Sequence, residues 1–151
     1  MAQRNFVGDF LLPPVYRIQL VRENKGDRPL LNGPSEAASV IWKYLEHADR
    51  EYFVSMMLDS ASRVIGINTV SIGTLDCCLV SPREVFKAAI LANAASIIVA
   101  HNHPSGDVRP SQEDLAVTKS LRKAGTLLEI EVLDHIIVGD GGVYTSLCWH
   151  R

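Results

Sequence analysis

The segment from His101 to Asp114 reads HNHPSGDVRPSQED and gathers the residues best suited to chemistry. His101 and His103 stand two apart at the end of an apolar run, and side chains two apart on a strand project from one side of the backbone. Both imidazoles can therefore share one ion. Pro104, Gly106 and Pro110 turn the chain, and Ser111 then opens a helix with Asp114 one turn inside it. A carboxylate on a rigid helix end can thus face the two imidazoles. Two neutral imidazoles and one carboxylate suit zinc, and three protein ligands leave a fourth tetrahedral position for water, as in catalytic sites. Each part also has a plainer reading. Ser111-x-x-Asp114 is a capping box, which is compatible with ligation, and a His-x-His pair alone is a weak signal.

These residues need elements to hold them. Residues 1 to 14 end in Pro13-Pro14, show no period and are expected to form an extended arm before a single domain over 15–151. VYRIQLVR, residues 15–22, alternates and places Tyr16, Ile18 and Leu20 on one face of a first strand. Residues 35–47 put Ala38, Ile41, Trp42 and Leu45 at helical spacing, with Pro34 and Ser35 as the entry. The β-rich runs 51–59 and 63–75 read as a hairpin through Ser60-Ala61-Ser62. Ser81-Pro82-Arg83-Glu84 supplies an N-cap, a first-turn proline and a glutamate three residues on, so a second helix runs to about Asn93. SIIVA, residues 96–100, is a short buried strand. Residues 111–127 form a third helix with Leu115, Thr118, Leu121 and Leu128 inward, and strands over 129–138 and 143–149 flank the turn Gly139 to Gly142. The expected fold is α/β of the α+β kind, a mixed, largely antiparallel sheet with three helices.

Composition removes several classes. The chain has 151 residues, 47% hydrophobic and 21% charged, with 15 basic and 17 acidic side chains for a formal charge of −2. That balance excludes intrinsic disorder and collagen, and it argues against a protein that grips nucleic acid mainly by neutralising phosphates. Cys77, Cys78 and Cys148 are an odd set with two adjacent, which suits neither a disulfide framework nor a zinc knuckle and points to a reducing compartment. Cys77 and Cys78 read as packing residues. The N-terminal stretch lacks an apolar segment followed by a cleavage site, and residues 88–100 fall short of the ~20 needed to span a bilayer, so the expectation is a cytoplasmic protein without a membrane partner.

The whole pattern, His-x-His-Pro with Ser-x-x-Asp beginning at Ser111, resembles the JAMM (MPN-plus) metalloprotease motif. PREVFKAAILANAASIIVAHNHPSGD, the PS-x-x-D that follows and LDHIIVGD are similar to its RadC-like branch, and the likeness extends over about Val40 to Leu147. The letters HNH also match the name of a nuclease family, but its residues are dispersed over a longer element, and that match is set aside. The resemblance implies a single JAMM/MPN-like domain that binds one zinc per chain through His101, His103 and Asp114 and hydrolyses peptide or isopeptide bonds in a protein substrate. It also implies a glutamate after the first helix that acts as general base toward zinc-bound water. Glu51 fits, whereas Glu84 is accounted for by capping. By the same resemblance Ser111 donates a hydrogen bond to the tetrahedral oxyanion. Full-length RadC-like proteins carry a further N-terminal helical region, for which the residues before 15 are too few. Two rivals stand beside the hydrolase: a nucleic-acid-associated DNA repair accessory using the fold as a binding module, and a structural domain with an idle zinc. His135, inside the apolar run 133–138, reads as a satisfied core histidine, Asp107 as a turn former, and Lys119, Arg122 and Lys123 as a solvated helix face.

Overall fold

The computed structural model describes residues 13–73 and 80–149. The arm over 1–12, and with it most of the expected arm, lies outside the described residues, as do Cys77 and Cys78. Five strands form one mixed sheet: β1 (Tyr52–Leu58), β2 (Val64–Ile72), β3 (Ser96–Asn102), β4 (Glu131–Val138) and β5 (Tyr144–Ser146). Their order is β2-β1-β3-β4-β5. Every neighbouring pair is antiparallel except β3 with β4. Three α-helices complete the domain: α1 (Pro34–Leu45), α2 (Pro82–Leu91) and α3 (Gln112–Leu128). The expected hairpin, the three helices and the mixed sheet are all present.

Strand alternation divides the core into two layers. Val54, Met56, Leu58, Ile98, Ala100, Ile136 and Val138 pack with Ala37, Ala38, Ile41 and Leu45 of α1. Phe53, Met57, Ile97, Val99 and Val132 pack on the opposite face with Val85, Phe86 and Ala89 of α2 and Leu121 of α3. β1 and β3 are buried along almost their whole length, as a sheet covered on both faces requires. The β3–β4 register shifts by one residue, with Ile97 opposite Val132 but Ile98 opposite Asp134, so Leu133 is an extra residue on β4. This is a β-bulge. Among the described residues no helix is long and apolar enough to cross a membrane.

Two expectations are corrected. Residues 15–22 form no strand: Tyr16 is 83% and Ile18 72% exposed, and the segment lies on neither sheet edge. Alternation supplies an apolar face, but a strand also needs a ladder partner, and here the nearby bridge is Leu30 with Arg63. On α3 the buried positions are Asp114, Thr118, Leu121 and Gly125, while Leu115 and Leu128 are exposed. A stripe at 114, 118, 121 and 125 has helical spacing too, and it turns a carboxylate inward.

Candidate metal centre

Three elements meet at one end of the sheet. β3 carries His101 as its penultimate residue, and His103 follows one residue past its end. Gly106, at φ 79°, adopts a left-handed conformation that suits glycine and donates its N–H to the His103 carbonyl at 2.9 Å, closing the turn after the pair. Gly139 lets that turn pack down, because a Cβ there would stand 2.5 Å from the Gly106 carbonyl oxygen. The chain then enters α3 through Ser111, whose Oγ accepts from the Asp114 N–H at 3.1 Å while the Ser111 N–H donates to Asp114 Oδ2 at 2.7 Å. The capping box is complete, and it leaves Asp114 Oδ1 to face the histidines. Glu51 immediately precedes β1, and its carbonyl accepts the Gly73 N–H at 2.8 Å. Glu84, the competing glutamate, is bound to Lys87 at 2.8 Å on the exposed start of α2.

The structure places His101 and His103 beside Asp114 on one hand and Glu51 on the other, and leaves Glu84 on α2. His101 Nε2 lies 2.9 Å from His103 Nε2, 3.2 Å from Asp114 Oδ1, and Asp114 Oδ2 lies 3.7 Å from His103 Nε2. Glu51, His101 and His103 each offer a ligand atom within 4.8 Å of the others, a group that could hold a metal ion. Asp114 approaches the same two imidazoles from α3. His101 and Asp114 are buried, whereas Glu51 and His103 are half-buried and give the centre an open side.

The donor set fits a cation. His103 Nδ1 lies 2.5 Å from the Asp107 carbonyl, which can only accept, so Nδ1 carries a proton and Nε2 is the atom turned into the centre, the one able to offer a lone pair to a cation. Asp114 Oδ1 is buried and makes no hydrogen bond to any described residue despite its closeness to His101. A buried carboxylate oxygen and an imidazole lone pair converging on one point lack a positive partner. Burial raises the Asp114 carboxyl, but the His101 imidazole and the Ser111 N–H outweigh it and hold the group below its ordinary range, so it is ionised. The Arg109 guanidinium holds the exposed Asp107 carboxyl down to about 2.

Three residues were not assigned to the centre from the sequence. Asn102 Oδ1 accepts the Tyr52 N–H at 2.8 Å and Asn102 Nδ2 donates to the Arg50 carbonyl at 2.9 Å, so one amide grips the backbone on both sides of Glu51. His135 is buried as a core histidine should be, but its Nε2 lies 2.8 Å from His101 Nδ1. Burial above all presses its pKa down to about 3, leaving it neutral. Thr118 reaches the His135 ring at 2.5 Å. Thr118 stands four residues after Asp114 on one helix face, a spacing that gives a local signal. Asn102 and His135 depend on pairing between distant strands.

A five-stranded mixed sheet between helices, with a cation-suited His-x-His and acidic cluster at one end, is the architecture of a JAB-type domain. The family model of the RadC-like JAB domain matches residues 31–151, and the chain belongs to that family. It is 50% identical over 125 residues to a UPF0758 protein of Shouchella clausii, covering 83% of this chain and 54% of that protein. It is 49% identical over 130 residues to a UPF0758 protein of Rubrobacter xylanophilus, with coverage of 86% and 56%. A UPF0758 protein of Caldanaerobacter subterraneus is 45% identical over 123 residues, with coverage of 82% and 53%. The chain thus spans about half the length of the curated relatives it matches.

Proposed function

We propose that this domain is a zinc-dependent hydrolase of peptide or isopeptide bonds, with His101, His103 and Asp114 holding the metal, Glu51 as general base and Ser111 as oxyanion donor. The observation that carries the reading is the convergence of the two Nε2 atoms and the buried Asp114 Oδ1, with Glu51 on the open side. Zinc bound there supplies Lewis-acid polarisation of a carbonyl and acidification of water. The chain's own groups do the remaining work. Glu51 accepts the proton of the attacking water and returns it to the leaving amine, so one carboxylate serves both halves of the reaction. The residue is half-buried, with Oε1 turned away from solvent. The Ser111 Oγ already accepts from the Asp114 N–H, so its own proton remains available to donate to developing negative charge. Asp114 is kept ionised and oriented by the same cap, so the helix end both closes the fold and fixes a ligand.

Elemental analysis of the purified protein tests the metal assignment: about one zinc per chain is expected, and His101→Ala with His103→Ala abolishes it. Unaltered metal content in the double variant overturns the site. Hydrolysis of a panel of peptide and isopeptide-linked substrates, lost in Glu51→Gln with zinc retained, tests the reaction. A zinc-loaded protein inert on the panel argues for the idle-metal reading.

A further inference from the structure

Behind His101, on the side away from the open centre, lies a line of three buried contacts. Thr118 Oγ1 is 2.6 Å from the Asp114 carbonyl oxygen and 2.5 Å from His135 Nδ1, and His135 Nε2 is 2.8 Å from His101 Nδ1. Both rings are wholly buried, and Phe53 fixes their planes, stacking on His101 at 6.0 Å and meeting His135 edge-on at 5.6 Å. Proton counting decides how these contacts are used. The Asp114 carbonyl can only accept, so the single Thr118 hydroxyl proton must go to it. The Thr118 oxygen then accepts, which places the His135 proton on Nδ1. The His135 Nε2 lone pair in turn accepts, which places the His101 proton on Nδ1. Every contact then carries one proton. Reversing the direction leaves two oxygens 2.6 Å apart with no hydrogen between them, and adding a second proton to His135 buries a cation with no carboxylate bonded to its ring.

The consequence is felt at the other nitrogen of His101. With its proton on Nδ1, its Nε2 presents a lone pair to the centre, facing that of His103 at 2.9 Å. Two lone pairs and an anionic oxygen at this separation repel unless a cation or a proton lies among them. We propose that Thr118 and His135 form a positioning relay that locks His101 in the Nδ1–H tautomer and thereby sets the affinity of the centre for its metal. The relay rests on the metal-binding reading above, and it adds that ligation is controlled from a threonine on α3 with no contact to the ion. It also joins the two ligand-bearing elements, since its far end is the backbone carbonyl of Asp114, another ligand. Orientation by outer partners of this kind is worth about 10- to 100-fold in metal affinity.

Zinc affinity of the full chain, measured by chelator competition, tests the relay with Thr118→Val and Thr118→Ser. The valine keeps the shape without the hydroxyl, and the serine keeps the hydroxyl. Thr118→Val is expected to weaken zinc by about 10-fold or more, with Thr118→Ser within a few-fold of the parent. Imidazole 1H–15N correlation spectra of the metal-free parent give a second readout, independent of any variant's folding: His101 is expected to carry its proton on Nδ1. Parent-like affinity in folded Thr118→Val, or a His101 proton on Nε2, overturns the relay while leaving the metal centre standing. Failure of the parent itself to bind zinc overturns the centre, and the relay falls with it.

Discussion

Asn102 gives the sharpest test of how the fold holds its candidate base. Its amide makes two bonds, accepting from the Tyr52 N–H at 2.8 Å and donating to the Arg50 carbonyl at 2.9 Å, and the residue is only 8% exposed. Asn102→Ala removes both bonds and strands two backbone groups in a partly buried setting. Each bond contributes about 1 kcal/mol net, and a stranded buried group costs about 1–3 kcal/mol, so a loss of about 2–4 kcal/mol is expected. Urea unfolding measures it as a fall in midpoint at constant slope. Released from the clamp, Glu51 should also lose its placement, and turnover in the proposed hydrolysis should fall about 100-fold, the scale of a misplacement near 1 Å. Asn102→Asp sharpens the result. It keeps the acceptor for Tyr52 but sets a carboxylate against the Arg50 carbonyl, so it is less stable than the parent at neutral pH and recovers relative to it on acidification, when the carboxyl can donate. An Asn102→Ala protein that loses less than about 0.5 kcal/mol would refute the clamp, since even one net bond should exceed that.

Glu51→Gln should retain fold and zinc while cutting turnover roughly 100-fold or more, and kinetics beside elemental analysis will show whether the two effects separate. Ser111→Ala should lose about 1 kcal/mol of stability and roughly 100-fold in turnover, whereas Ser111→Asp keeps a cap acceptor and recovers stability without activity; parent-like turnover in the aspartate variant reduces Ser111 to a cap. His135 imposes a pH dependence: its folded pKa of about 3 lies below the unfolded 6.5, so the unfolded state takes up the proton first. The stability due to the neutral ring is complete above pH 6.5 and is lost as pH falls toward 3, by roughly 1 kcal/mol per unit. His135→Gln should flatten that part of the pH–stability profile, and an unchanged slope refutes the assignment.

The candidate ligands are legible because their spacing is a local property. His101 and His103 are related by strand period, and Ser111 and Asp114 by one helical turn; both relations survive whatever the rest of the chain does. The start of α2 was equally plain, for Ser81 caps it with Pro82 at the first position. The segment 15–22 has the right alternation but lacks a pairing partner, which no local pattern can supply. Leu115 and Leu128 are apolar and read as inward, but the inward stripe runs through Asp114, whose carboxylate α3 turns toward His101. Asn102 sits between two conspicuous histidines and reads as a spacer. Its partners, Arg50 and Tyr52, lie about fifty residues earlier and meet it only because β1 pairs with β3.

The extra residue Leu133 sets the parity of everything after it on β4. Before it, even-numbered Val132 faces the layer of α2 and α3; beyond it, odd-numbered His135 faces that side, while Ile136 and Val138 face α1. Removing Leu133 would delete one apolar residue and leave the hydropathy of the strand nearly unchanged. Val132, Asp134 and His135 would then occupy consecutive positions opposite Ile97, Ile98 and Val99, so His135 would keep its side and only the bulge would be lost, whereas one further residue inserted there would turn His135 away from His101. Length in this strand is therefore a chemical variable as much as side-chain identity is. A single-residue insertion between Val132 and His135 should act like a mutation at the candidate centre, whereas deletion of one residue in the same interval should spare it.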